Sequence, residues 1–165
     1  MTKKEKKLIL ILAACLCGLL ILLGVARFLL PDSGGEGFVP PAFDKSAQSG
    51  TPQIPEGLDY RTMDIRSGYK VSLCVNPGLE EDGLQLYFTA DPGNEMWVSA
   101  VVYDSTGEEL GTTGLVKPGE YVALVPLQNP PRSSGELLVK VRSYDTQTYY
   151  SLGVVNAQIY LNLDE

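Results

Sequence analysis

Histidine is absent from the 165-residue chain. That absence removes the commonest general base, the usual activator of a serine or cysteine nucleophile and the usual ligand of extracellular zinc enzymes. Triad hydrolases and zincins lose their basis, and so do sortase-type transpeptidases, which need a Cys with a His partner. Cysteine is nearly as scarce: of three, Cys15 and Cys17 lie within an apolar run, leaving Cys74 alone in the remainder. No disulfide can then form within that remainder, and its core must hold by packing. Cys74 sits among Val71, Leu73 and Val75, the setting of a buried structural thiol. Positive charge is also thin. From Pro31 onward there are 8 Lys and Arg against 19 Asp and Glu, a net charge of −11, with the basic residues scattered singly. Phosphate binding needs clustered Lys and Arg, so nucleic acid is excluded as a partner.

What is present is unevenly spread. Leu8 to Ala26 holds no charged residue, and the apolar run resumes after Arg27 through Leu30. A hydrocarbon core about 30 Å thick needs about 20 apolar residues in a helix, more than the apolar region of a cleaved signal. A transmembrane helix is therefore expected over 8–30, closed by Pro31, Asp32, Ser33, Gly34 and Gly35. Lys3, Lys4, Lys6 and Lys7 make 1–7 a basic tail, which the positive-inside rule keeps in the cytoplasm. Everything after Pro31 is then extracytoplasmic, in a single-pass protein of the cell membrane. A second reading stays open, because Leu12-Ala13-Ala14-Cys15 spells the small-residue box that bacterial lipoproteins place before a lipidated cysteine. Against it, Leu16 to Leu23 remains apolar where a lipoprotein turns polar.

Residues 31–58 are rich in Pro, Gly and Ser and are expected to form a flexible linker. Residues 59–165 show no helical period and read as strands. Leu84, Leu86 and Phe88 alternate with Gln85, Tyr87 and Thr89, as on a half-buried strand. Leu137, Val139 and Val141 oppose Lys140 and Arg142, and Val155 to Leu163 alternates in the same way. Met96 to Tyr103 and Tyr121 to Leu127 suit central strands covered on both faces, with Trp97 as core anchor. Asp104-Ser105-Thr106-Gly107 and Lys117-Pro118-Gly119 mark turns. The sum is an all-β domain of about seven strands, the pattern of an immunoglobulin-like antiparallel β-sandwich, with a barrel as the alternative.

Gly107 to Gly111, Gly114 to Val122 and Tyr144 to Gly153 carry a resemblance. In these stretches, and in its tail, helix and linker layout, the chain resembles a functionally uncharacterised group of small membrane-anchored proteins of clostridia-like Gram-positive bacteria. The resemblance implies the fold and the compartment and carries no functional residues.

Among sites, Tyr144, Tyr149 and Tyr150 suit recognition, since tyrosines near a loop stack on sugar rings or anchor an interface; core packing or a tyrosine corner is the safer reading of them. Glu80-Glu81-Asp82 offers oxygen ligands for calcium or simply a solvated loop. Lys70 and Ser72 share a strand face, as a Ser–Lys dyad would, and as any exposed strand edge would. No cofactor and no catalytic residue is implied. The expected function is a non-catalytic binding or assembly module of a bacterial cell envelope, touching the lipid bilayer through its helix and an envelope protein or wall polymer through its domain. Behind it stand a lipoprotein-like accessory subunit of a secretion or conjugation machine, and a His-independent hydrolase.

Overall fold

Alternating apolar side chains turn nearly half of the described chain beyond Val39 into strands whose inner faces meet in one core. The computed structural model describes residues 39–65 and 68–163. The expected transmembrane helix over 8–30, the basic tail and Cys15 lie outside the described residues, among which no helix is long and apolar enough to cross a membrane.

Among the described residues eleven strands form antiparallel sheets: β1 Gln48–Ser49, β2 Tyr60–Ile65, β3 Tyr69–Cys74, β4 Gly78–Glu80, β5 Gly83–Gln85, β6 Phe88–Ala90, β7 Trp97–Tyr103, β8 Glu109–Thr112, β9 Glu120–Val122, β10 Gly135–Tyr144 and β11 Ser151–Leu161. One sheet has the order β1-β9-β6-β3-β2, the other β11-β10-β7-β8, and β4-β5 is a separate hairpin. The sequence pattern suggests about seven. The excess comes from strands of two or three residues, too short for a period of two to show.

The two larger sheets face each other as a β-sandwich. Val71 and Leu73 of β3 and Phe88 of β6 meet Val98, Ala100 and Val102 of β7, Val139 and Val141 of β10 and Ile159 of β11 in a common core. Each fully buried aliphatic or Phe side chain contributes about 1.5–3 kcal/mol. The expected alternation on β10 and β11 is present: Leu137, Val139 and Val141 are buried, as are Ala157, Ile159 and Leu161, while Asn156, Gln158 and Tyr160 are exposed. Cys74 is fully buried and free, and burial pushes its thiol up to about 11.

Three expectations need correction. Leu84, Leu86 and Phe88 are all buried, but not along one strand: the chain breaks at Tyr87, whose φ is 49°, so β5 and β6 belong to different sheets. Tyr121 to Leu127 is not a central strand throughout. Only its start is in β9; beyond it Val125 and Leu127 make isolated bridges to Leu84 and Gly111, and only Val122 and Val125 of the stretch are buried. Trp97 is half-buried at the surface and takes no part in the core cluster.

The compact unit begins at Pro40, so the stretch read as linker through Leu58 joins the fold for most of its length. Leu115 donates its N–H to Ala42 O and accepts from Asp44 N, both at 2.9 Å, and β1 pairs with β9. Gly114 permits this docking, because a Cβ there would lie 2.5 Å from Asp44 N.

Candidate recognition surface

The alternation that sends Val98, Ala100 and Val102 into the core turns Trp97, Ser99, Val101 and Tyr103 to the outer face of the four-stranded sheet. There Phe43 meets Trp97 edge-on, with ring centroids 4.8 Å apart at 78°. Tyr149 tilts against the same indole at 4.7 Å and 57°. Lys117 Nζ lies 4.6 Å from the Phe43 centroid, within cation–π range. Four segments distant in sequence thus build one row, Lys117, Phe43, Trp97, Tyr149.

Tyr149 is held there by its loop. Asp145 Oδ1 accepts from the backbone of Thr148 at 2.7 Å, from its hydroxyl at 2.9 Å and from Gln147 N at 3.0 Å. These bonds, the Thr148 backbone first, hold the Asp145 carboxyl below its ordinary range. Asp145 O accepts from Tyr149 N at 2.9 Å, and Asp145 N donates to Tyr150 O at 3.0 Å, closing the β10–β11 hairpin. Tyr149 itself has φ 62°, a left-handed conformation that costs a side-chain-bearing residue about 1–2 kcal/mol and that glycine adopts freely. The indole contact gives a reason for a ring at a position glycine would fill without strain.

The three tyrosines singled out from the sequence take different places. Tyr144 ends β10 directly opposite Trp97 and is buried at 8% exposure. Tyr149 joins the aromatic row, and Tyr150 stands at 60% exposure beside it. Next along β11, Leu152 and Val154 are 56% and 52% exposed. Between Pro41–Ala42 and the side chains of Ser99, Arg142 and Tyr144 runs a shallow groove of about 380 Å³. Sequence reasoning missed Phe43, Lys117, Leu152 and Val154 as contributors. The one available signal was Phe43, one of two phenylalanines in a Pro-rich stretch.

The other candidates resolve into local structure. Ser72 Oγ shares a hydrogen bond with Thr62 Oγ1 at 2.8 Å, and Lys70 Nζ lies 3.7 Å from Asp64 Oδ2, so each is engaged across the β2–β3 ladder. Glu80 closes the β4–β5 hairpin opposite Gly83 and accepts a hydrogen bond from Gln85 Nε2. Among the described residues no three His, Cys, Asp or Glu side chains gather as a metal site.

Comparison with protein-family models and with curated proteins finds no match to this chain.

Proposed function

We propose that this protein is a non-catalytic binding or assembly module, an immunoglobulin-like sandwich tethered outside a bacterial membrane by a helix over 8–30. The observation that carries the reading is the row Phe43, Trp97, Tyr149, with Tyr150, Leu152 and Val154 exposed on the same β10–β11 hairpin. Apolar and aromatic groups kept at a surface, one of them on a strained backbone, fit recognition better than packing. The missing histidine, the engaged Ser72 and Lys70, and the buried Cys74 thiol support binding over catalysis. The partner is an envelope protein or wall polymer, and the resemblance to clostridial membrane-anchored proteins favours that compartment.

The test is crosslinking in intact producing cells, then recovery of the full chain and mass spectrometry of partners and of the N-terminal peptide. A membrane-fraction protein with an unmodified N-terminus and a defined partner that Trp97→Ala loses is the expected result. A peptide beginning at lipid-modified Cys15 would replace the helix with a lipid anchor, and a soluble protein would sink the tether.

A further inference from the structure

We infer that the groove on the outer face of the four-stranded sheet binds the carboxyl end of a peptide, with the Arg142 guanidinium on the carboxylate and the hydroxyls of Ser99 and Tyr144 beside it. This deepens the binding reading above by naming the ligand's chemistry.

Period-two alternation puts Arg142 and Tyr144 of β10 and Ser99 of β7 on that face, since Val141, Val98 and Ala100 beside them enter the core. Ser99 is the partner of Arg142 in the β7–β10 register, and Tyr144 follows two residues along the same face. The docked segment Pro40–Asp44 supplies the opposing wall through Pro41 and Ala42. The space between is about 380 Å³, the size of a small ligand.

Three donors in this groove lack acceptors. Arg142 is half-buried, yet among the described residues no carboxylate lies within ion-pair distance of it and its N–H groups make no hydrogen bond. Ser99, 5% exposed, and Tyr144, 8% exposed, have hydroxyls without a partner among the same residues. The neighbouring hydroxyls are engaged: Thr113 Oγ1 accepts from Ala100 N at 2.9 Å, and Thr112 Oγ1 donates to Thr113 O at 3.1 Å. Folded chains seldom keep buried polar groups unpaired, so a partner from outside the chain accounts for all three.

Charge and lining select that partner. The domain is strongly acidic, but no Asp, Glu, Asn or Gln lines the groove. An anion there meets a cation with no carboxylate beside it. One planar guanidinium matches the single charge and two oxygens of a carboxylate, which Arg binds in a bidentate fork. A phosphate monoester would bring further charge with one cation to meet it. A sugar acid would carry its hydroxyls into a lining that has no carboxylate or amide side chain to bind them. Pro41, Ala42 and Val101 suit instead a small apolar side chain next to the carboxylate, and because the groove is shallow the rest of the peptide can lead away from it.

The experiment uses the full chain in the detergent that recovers it and saturation-transfer NMR, with N-acetyl-alanyl-alanine as the probe. The expected result is saturable binding that weakens at least about tenfold for the C-terminal amide of the same dipeptide, which keeps the shape and removes the charge. Arg142→Gln lowers the affinity about tenfold, Arg142→Lys recovers only part of it because an ammonium has no fork, and Ser99→Ala lowers it about threefold. Arg132→Gln, at a cation outside the groove, leaves binding unchanged. Melting temperatures fall in none of these variants, since the groups removed have no partner within the fold. Equal binding of acid and amide, an Arg142→Gln variant that binds as the parent does, or no saturation up to about 10 mM probe would overturn the proposal. So would tighter binding of inorganic phosphate or glucuronate than of the dipeptide. A crosslinked partner without dipeptide binding would leave the module standing and refute this site, while a chain found in the soluble fraction would defeat the tether and leave the titration to decide the groove.

Discussion

Asn94 behaves as a piece of backbone. Its Oδ1 accepts from Lys70 N and its Nδ2 donates to Lys70 O, both at 2.8 Å, so a buried amide completes the β3 ladder where β6 has ended. Asn94→Ala leaves Lys70 N without its bond, while Lys70 O keeps the one it accepts from Asp91 N at 3.2 Å. The expected loss is about 1–3 kcal/mol, read as a lower urea midpoint at unchanged slope. Tyr69 is the opposite case. Its hydroxyl is sealed in the core with no hydrogen bond of acceptable geometry among the described residues, although Ser143 lies near enough to oppose slightly the burial that raises its titration. Tyr69→Phe removes the uncompensated group and keeps the ring. Stability should hold or rise by up to about 1 kcal/mol, and a clear loss on the same urea curve would show the hydroxyl to be satisfied.

At the scale of elements, the segment Pro40–Asp44 is the most consequential departure from the sequence pattern. It docks beside Leu115 through Gly114, whose N–H donates to Asp44 Oδ2 at 2.8 Å, and carries Phe43 to Trp97. Gly114→Ala forces the two backbones apart. Because Trp97 is the only tryptophan, its emission reports the event: a red shift on substitution is expected, with the sandwich itself still melting cooperatively. An unchanged spectrum would mean that the segment tolerates the methyl group without releasing Phe43. Turn chemistry was the easiest part to read. Asp104 accepts from Thr106 N, Glu108 N and, through its backbone, Gly107 N, as the turn signal there predicts, with Gly107 at φ 88°.

For the whole molecule, Cys74 ties stability to pH. Its ordinary value of 9.0 is raised to about 11 by burial first and the nearby Asp59 charge second. The folded state therefore favours the neutral thiol, and the unfolded chain loses its proton first. This contribution is fully present below about pH 9 and is lost as pH rises to about 11. Urea midpoints should fall between pH 8 and pH 10.5, and Cys74→Ala should lessen the fall even if it lowers stability throughout. Equal pH slopes in the two proteins would remove Cys74 as the cause.

The all-β class, the alternation on β10 and β11, the main turns and the burial of Cys74 were legible in the sequence, because period-two patterning and turn residues act within a few positions of one another. Local pattern could not divide Leu84, Leu86 and Phe88 between two sheets, since the break depends on Tyr87 adopting a positive φ as the chain crosses from one sheet to the other. Nor could it place Trp97 outside the core: apolar neighbours on both sides give a residue no face, and only the packing of Val98 against the opposite sheet turns the indole outward to Phe43 and Tyr149. Composition determined what chemistry this chain lacks. Which side chains share a surface was decided by the tertiary structure, because the contacts of Phe43 and Tyr149 with Trp97 join residues far apart in sequence and exist only once the sheets have formed.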